Sequence, residues 1–258
     1  MPSSPVYVGI DVACAVGKRL PICFVSGADP VMPLTIPRQL SAAIPRGAGN
    51  KEIISPSPFR EAAGGVVNAI SRVMDEMDWR VERIAIDAPS APPLAVPRAS
   101  EKELGHLGLS SFRTPAVSDW AGIREKCVWH LGSGRSAATL PQANKIWMLF
   151  GFELFAQLRN SFCVEVIEVY PFAIVRALLL ACQHKSTDEG YKDQLAAVAV
   201  RMGWAPQDLE ARLKGTVHGS RHDRLDAFMA AWVASLRPEQ RCAFGDPQQT
   251  DDAIWVPL

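Results

Sequence analysis

Short apolar runs at the start of the chain predict three strands. Residues 6–11 are β-branched, aromatic and apolar up to the closing acid, Asp11, which is typical of a buried strand. Residues 19–26 and 31–36 are two further apolar runs, and the turn-forming residues 27–30 join them. We therefore expect the chain to open with one strand followed by a hairpin.

The next two elements are a helix and a second strand that ends in an acid. Ser57 precedes Pro58, a pair typical of a helix start, and apolar residues follow at helical spacing as far as residue 77. Residues 83–87 form another short apolar run, which closes on Asp87. A right-handed crossover through the helix would place this strand parallel to the first strand and beside it. The carboxyl ends of both strands would then border one crevice.

The rest of the chain is mainly helical in pattern. Residues 98–140 carry a mild excess of positive charge and short helical patterns at 99–107 and 118–130, so we interpret them as an insertion or lid. The pattern then predicts a strand at 163–169 and helices at 141–159, 172–182, 191–202 and 223–236. Residues 254–256 are expected to pack back onto the core. The whole order predicts one α/β domain, 1–258, with a mixed five-stranded sheet flanked by helices.

Composition and charge narrow the class of protein. The chain has 258 residues, of which 48% are hydrophobic and 21% charged, and this excludes disordered and fibrous classes. Lys+Arg and Asp+Glu number 27 each, so the net charge of zero argues against a protein that coats nucleic acid without discrimination. The six cysteines include no CxxC pair, which argues against a zinc ribbon or a disulfide framework. With no signal-like segment and no long apolar run, we predict a cytoplasmic protein with no membrane partner.

Several acids lie where they could face the predicted crevice. They end predicted strands or begin the last helix: Asp11, Asp87, Glu168, Asp223 and Asp226. An acid at a strand end also commonly caps the following turn, and Asp223 suits the positive end of a helix dipole. Asp226 is harder to explain as a cap, because it shares a helix face with a stripe of alanines that would let the helix approach the sheet closely.

Repulsion among these acids predicts a metal ion. Carboxylates that meet in one crevice repel one another unless a cation lies between them or one of them takes up a proton. Oxygen ligands without clustered His and Cys favour Mg²⁺ or Mn²⁺ over Zn²⁺. Two such ions about 3.5–4 Å apart would stabilise the attacking and leaving oxygens of phosphodiester hydrolysis.

Four short motifs carry a resemblance to a known family. They are Gly-Ile-Asp at 9–11, Ala-Ile-Asp-Ala-Pro at 85–89, Glu-Val-Tyr-Pro at 168–171 and His-Asp-Arg-Leu-Asp-Ala at 222–227. In order and spacing they resemble domain-of-unknown-function family 429, described as predicted nucleases with an RNase H-like fold. The last motif is also similar to the final helix of Holliday-junction resolvases in the wider superfamily.

The resemblance implies a metal-dependent nuclease and a set of site residues. By it, Asp11, Asp87 and Asp226 would be catalytic metal ligands for Mg²⁺ or Mn²⁺, and Asp223 or Glu168 would complete the set. The implied fold is an RNase H-like α/β domain, and the implied partner is nucleic acid.

Other side chains near the motifs are weaker candidates. His222 could act as a general acid or proton shuttle, or it could simply face solvent at the helix start. Arg98, Lys102 and Arg221 could hold phosphates, although scattered surface cations usually only keep a protein soluble. Tyr170 could stack on a base or be a core residue with a satisfied hydroxyl group.

A metal-dependent nuclease or phosphodiesterase acting on DNA or RNA is the leading hypothesis. One alternative is an actin-like nucleotide-binding phosphotransferase or ATPase. Proteins of that class usually carry two copies of the fold and glycine-rich phosphate turns, whereas Val12 and Ala13 follow Asp11 here. The other alternative is a non-catalytic binding module in which the acids are structural caps.

Overall fold

The protein forms one mixed sheet of six strands with helices on both faces. The structure is a computed structural model that describes residues 3–12, 17–27, 29–47, 57–109, 113–179, 183, 185, 187–248 and 252–258. The predicted α/β class with a mixed sheet is confirmed, but the sheet has six strands where five were expected. Within this described part of the chain, none of the helices has the length and apolar character needed to cross a membrane.

Along the chain, runs of helices separate single strands or pairs of strands. The strands are β1 (Ser4–Asp11), β2 (Ile22–Ser26), β3 (Trp79–Asp87), β4 (Glu165–Val169), β5 (Arg241–Gly245) and β6 (Ala253–Pro257). The helices are α1 (Arg38–Ala43), α2 (Ser57–Met77), α3 (Ala99–His106), α4 (Asp119–Gly132), α5 (Ala143–Ser161), α6 (Pro171–Leu178), α7 (Asp188–Arg201), α8 (Pro206–Thr216) and α9 (Arg221–Ser235). Short 3₁₀ helices cover Ala137–Thr139 and Pro238–Gln240.

The sheet order brings the two acid-terminated strands together. The order is β2-β1-β3-β4-β6-β5, in which β1 pairs antiparallel with β2 and parallel with β3. The expected parallel neighbour of the first strand is therefore confirmed, with α2 as the connection between them. In this register Asp11 lies directly opposite Asp87.

The prediction of a third strand at residues 31–36 is wrong. Its pairing with β2 is limited to an isolated bridge between Val25 and Pro33, supported by a hydrogen bond from Leu34 N to Phe24 O at 2.8 Å. A second hydrogen bond, from Ser26 N to Met32 O at 3.3 Å, flanks the same bridge. Beyond Leu34 the segment leaves β2 and turns into α1 at Arg38, so the pairing stops there. The second strand also begins later than expected, at Ile22.

The end of the chain forms two strands that the pattern does not predict. Strand β6, which contains the apolar residues 254–256, pairs parallel with β4, and β5 pairs antiparallel with β6 at the edge of the sheet. The expectation that this segment packs back onto the core is confirmed, in the form of a strand. Helix α8 is also absent from the prediction, because it buries only Leu209 and Leu213 and so has a weak helical period.

Alternation along the strands divides the core into two layers. In β1, Val8 and Ile10 belong to the cluster formed with α2 and α5, while Gly9 contacts α9 on the opposite face. In β3, Ile86 faces α2 and α5 and Ala85 faces α9 in the same way. Because side chains alternate between faces, the residues two positions after Gly9 and Ala85 also point toward α9. Those residues are the two strand-end aspartates.

Helix α9 lies unusually close to β1 at Gly9. A β-carbon built on Gly9 would lie 2.1 Å from the carbonyl oxygen of Ala227 and 2.2 Å from the backbone nitrogen of Ala231. Both of these alanines, like Ala230 and Ala234, are fully buried. The alanine stripe therefore allows the close approach to the sheet that the sequence predicted.

Substitution of Gly9 by Ala is expected to destabilise the protein severely. The added methyl group would meet helix backbone, which cannot move aside as a flexible side chain can, so the loss should reach or exceed the upper end of the usual overpacking cost of about 1–3 kcal/mol. Gly17→Ala is the matched control, because a β-carbon there has no atom of the described residues within 4 Å apart from its chain neighbours. Urea unfolding of both variants measures the difference, and equal stability of the two would contradict the close packing of α9.

Candidate metal centre

Three aspartates from distant parts of the sequence meet at one end of the sheet. Asp11 and Asp87 end the adjacent parallel strands β1 and β3, and strand alternation turns both toward α9. Asp226 lies in the first half of α9, on the face that the alanine stripe places against the sheet, and it is only 3% exposed. One ligand oxygen from each aspartate can be chosen so that all three lie within 4.8 Å of one another. The geometric convergence expected from the sequence is thus present.

Burial and mutual repulsion make these carboxylates reluctant to ionise. Burial, followed by the charges of Asp226 and Asp87, raises the pKa of Asp11 well above its usual range. Burial and the charge of Asp226 raise the pKa of Asp87 to about 8. Burial also raises the pKa of Asp226, although a neighbouring lysine acts against it. Without a further cation, this site holds fewer than three full negative charges at neutral pH.

Lys185 is a charged member of the site that sequence reasoning missed. Its ammonium group forms an ion pair with Oδ2 of Asp226. Burial alone would lower the pKa of Lys185, but Asp226 and Asp87 raise it above its usual value. The residue lies in the polar connection between α6 and α7, where neither hydrophobic period nor motif distinguishes it from other surface lysines.

The spacing of the three carboxylates fits a hard divalent cation. Two oxygens on opposite sides of one Mg²⁺ lie about 4.2 Å apart, since each metal–oxygen distance is about 2.1 Å. The ligand atoms here lie within 4.8 Å of one another, so small side-chain rotations would bring them around one ion. The three donors are all carboxylate oxygens, a ligand set that favours Mg²⁺ or Mn²⁺. Asp11, Asp87 and Asp226 are therefore the residues that could hold a metal.

Glu168 points away from this cluster. Alternation along β4 turns Ile167 toward α9 and Glu168 toward the other face of the sheet. In register, Glu168 pairs with Ile86, which faces α2 and α5. Both of its oxygens accept hydrogen bonds from Arg98, at 2.6 and 2.8 Å, and Oε2 also accepts one from the backbone N–H of Ser90 at 3.0 Å. These contacts do not support Glu168 as a metal ligand.

Arg98 and Lys102, both predicted to bind phosphate, differ in their surroundings. Arg98 is buried and contacts Glu101 as well as Glu168, so two acids balance its charge. Burial would lower the pKa of Arg98, but these acids raise it further above its usual value. Lys102 is exposed on α3 and lies outside the lining of the cavity beside the aspartates. Neither position adds a cation to the metal centre.

Asp223 caps α9, in agreement with the structural role at the start of the helix that the sequence suggested for it. Its Oδ2 accepts a hydrogen bond from the backbone N–H of Ser220 at 2.8 Å, and the Ser220 hydroxyl accepts one from the Asp223 N–H. Burial would raise the pKa of Asp223, but the hydrogen bonds from Ser220 and the charge of Lys18, whose Nζ is 3.5 Å away, keep it below its usual value. Asp223 is therefore a capping carboxylate beside the centre rather than a member of the cluster of three.

His222 and Arg221 form a small cluster around Tyr191. The His222 ring packs edge-on against Tyr191 with centroids 5.1 Å apart, and the Arg221 guanidinium lies 4.6 Å from the centre of the same ring. Arg221 also forms an ion pair with Asp188, so the predicted phosphate ligand already has an anionic partner. Burial and the charge of Arg221 lower the pKa of His222, and its buried Nδ1 has no partner among the described residues.

Tyr170 lies beside the metal centre. It lines a cavity of about 400 Å³ that Asp87 also borders, and its ring packs against Phe172 with centroids 6.1 Å apart. Burial and the nearby charge of Asp87 raise the pKa of Tyr170 to about 12, so the phenol stays neutral. The structure thus brings Tyr170 next to the acids, as its predicted role requires.

Comparison with protein families agrees with the resemblance in the motifs. Residues 48–249, more than half of the chain, match the model of the family described as "Protein of unknown function (DUF429)". The match includes Asp87 and Asp226, whereas Asp11 precedes it. No curated protein and no solved structure is significantly similar to the chain. The predicted family is therefore confirmed, and the chain belongs to the DUF429 family.

Proposed function

We propose that this protein is a metal-dependent phosphodiesterase that cleaves nucleic acid. The observation that carries the proposal is the meeting of Asp11, Asp87 and Asp226 within 4.8 Å. Three carboxylates from three separate elements would be costly to gather in a buried place unless a cation joined them. When bound, Mg²⁺ or Mn²⁺ neutralises phosphate charge and activates water for phosphodiester hydrolysis. Phosphodiester hydrolysis is the activity that this set of carboxylate ligands supports best.

The topology supports an RNase H-like fold for this activity. Strand β1 is flanked by the antiparallel β2 and the parallel β3, with α2 as the crossover and acids at both parallel strand ends. This is the order that a right-handed crossover through the helix led us to expect for the first half of the domain. The incomplete third strand and the added pair β5 and β6 are the departures from it.

The residues around the aspartates would divide the remaining tasks. Lys185 would balance part of the negative charge through Asp226. His222 lies one helical turn before Asp226 and so on the same face of α9, and the lowered pKa of its imidazole leaves it neutral at pH 7. Arg221 Nε donates to His222 Nε2 at 3.5 Å, so the neutral ring carries its proton on Nδ1, and the role we propose for His222 is to orient the substrate through that N–H.

Replacing Asp11 by Asn should weaken the binding of Mn²⁺ or Mg²⁺ at least about tenfold, because one of three charged ligands is lost. Isothermal titration calorimetry of each variant measures this. Asp75→Asn is the matched control, since Asp75 is an exposed acid on α2. Asp223→Asn should also keep its metal affinity while losing some helix capping. Identical titrations for the wild-type protein and Asp11→Asn would show that these aspartates do not form the metal site.

Cleavage of nucleic acid is the direct test of the activity. In the presence of Mn²⁺ the protein should cut at least one of single-stranded, duplex and branched DNA or RNA, and EDTA should abolish the reaction. Asp87→Asn should slow cleavage by at least about a hundredfold, because the metal supplies several kcal/mol of transition-state stabilisation. Asp75→Asn should cleave at the wild-type rate. Hydrolysis of ATP without cleavage of any nucleic acid would replace the proposal with the phosphotransferase alternative.

The metal-free protein should lose stability as the pH rises. The pKa of Asp87 is about 8 in the folded protein against 3.8 for the unperturbed group, so between these values the folded state binds the extra proton. Stability then falls with increasing pH across this window. In EDTA, Asp87→Asn should gain stability over the wild type on going from pH 5 to pH 8, on the order of 3–4 kcal/mol.

Urea unfolding at several pH values measures this gain. Saturating Mg²⁺ should reverse its sign, because the ion binds the ionised carboxylates of the folded wild-type protein. A difference between wild type and Asp87→Asn that does not change with pH in EDTA would show that Asp87 has an ordinary pKa. Asp75→Asn serves again as the control that removes a charge from the surface.

A further inference from the structure

The cavity beside the metal centre has the character of a binding site for an aromatic group. Its volume is about 400 Å³, within the range of about 300–1,000 Å³ that is common for small-molecule sites. Three aromatic side chains line it: Trp147 from α5, Tyr170 at the end of β4 and Phe172 from α6. Aromatic side chains in such a place offer flat faces on which a base can stack.

A buried ion pair forms part of the polar wall of the same cavity. Arg98 and Glu168 border it, and each of their side chains is at most 4% exposed. They hold each other in a fixed, two-bond orientation, so this wall of the cavity is rigid before any ligand arrives. Asp87 borders the cavity on the side of the metal centre. A ligand in the cavity would therefore lie against a residue of the proposed metal set.

A second, basic pocket adjoins the cavity. Among the described residues its lining includes Arg113, Lys126 and Lys145, against a single acid, Asp119. The Lys145 ammonium group donates a hydrogen bond to the backbone carbonyl of Arg113. Oδ2 of Asp119 already accepts a hydrogen bond from the backbone N–H of Ala116 at 3.0 Å. The excess of positive charge makes this pocket attractive to phosphate groups.

Thr114 connects the two spaces, because it lines both of them. The order along the surface is then the acidic metal centre, the aromatic cavity and the basic pocket. This order matches a nucleotide whose base enters the cavity while its chain continues over cations. A base that remains stacked and paired inside a duplex could not enter such a cavity without leaving the stack.

We propose that the cavity of Trp147, Tyr170 and Phe172 binds the base of one unpaired nucleotide, and that the basic pocket holds the phosphates of the adjoining chain. The phosphate of the bound nucleotide would lie toward Asp87 and the metal centre, a placement that rests on the proposed function, whereas binding of the nucleotide does not. The substrate class that follows is single-stranded or unpaired nucleic acid. A free nucleotide shares the same chemistry of base and phosphate.

Binding can be measured without cleavage. Fluorescence anisotropy of a labelled oligothymidylate in EDTA reports the affinity of the wild-type protein and its variants. Trp147→Ala should weaken binding between about fivefold and about a hundredfold, since stacking on one aromatic side chain contributes about 1–3 kcal/mol. Trp147→Phe keeps an aromatic ring and should retain most of the affinity. Trp129→Ala is the matched control, because Trp129 is 61% exposed on α4 and lines neither pocket.

Further ligands separate the sources of the nucleotide. The single strand should bind more tightly than a fully paired duplex of the same sequence, and Lys126→Ala should weaken its binding and reduce its dependence on salt. If thymidine monophosphate binds as tightly as the oligonucleotide and Lys126→Ala changes the affinity for neither ligand, the cavity is a site for free nucleotides. The chain-binding part of the proposal is then overturned. Tighter binding of the duplex, or no effect of Trp147→Ala, overturns the proposal as a whole.

The two proposals fail in different ways. If Trp147→Ala weakens binding but Mn²⁺ produces no cleavage of any nucleic acid, the nucleotide site stands and the phosphodiesterase is overturned. If Mn²⁺-dependent cleavage is lost in Asp87→Asn but both cleavage and binding are unchanged in Trp147→Ala, the phosphodiesterase stands and the nucleotide site is overturned.

Discussion

The close approach of α9 to β1 is the constraint on which the acidic site depends. Gly9 leaves room for the helix backbone at Ala227 and Ala231, and this contact fixes how far Asp226 lies from the sheet. Gly9 and Asp11 are two residues apart, so the alternation that buries one against α9 also aims the other at it. Larger side chains on either surface would push the helix outward and separate Asp226 from the strand ends. Packing thus sets the spacing of the charges.

Buried acids at this end of the sheet are neutralised in two different ways. Glu168 receives two hydrogen bonds from Arg98, whose guanidinium also pairs with Glu101, so a fixed cation lies against these two acids. Among the described residues, the cation that pairs with the three aspartates is the ammonium group of Lys185, which forms its ion pair with Asp226. Burial raises the pKa of Asp87 to about 8, and the negative charge of Asp226 adds to the effect. A divalent cation bound by the three aspartates would balance their excess of negative charge. This difference distinguishes a candidate metal centre from a structural ion pair.

The sequence predicts those parts of the site that have a local pattern. Apolar runs that close on Asp11 and Asp87 indicate two buried strands, and their parallel pairing follows from the helix between them. Glu168 also lies near a strand end, so the local pattern places it in the same group of candidate acids. The face of the sheet on which it lies depends on the register of β4 against β3, which no local pattern reveals. Lys185 was missed because it lies in a polar connection and meets Asp226 only through the tertiary fold. Local sequence patterns identify the candidate acids, but tertiary packing determines which of them lie close together.

Asp87 joins the chemistry of the centre to the recognition of its ligand. It belongs to the group of three carboxylates and also borders the aromatic cavity, so one rigid strand end positions both. A base held by Trp147 and Tyr170 would bring its own phosphate to the edge of the centre, and the next phosphates would lie farther away, toward the basic pocket. Cleavage would then occur at a fixed distance from the bound base. In such an arrangement selectivity would come from whether a base can leave its stack, because the cost of unstacking is lowest where it is already unpaired.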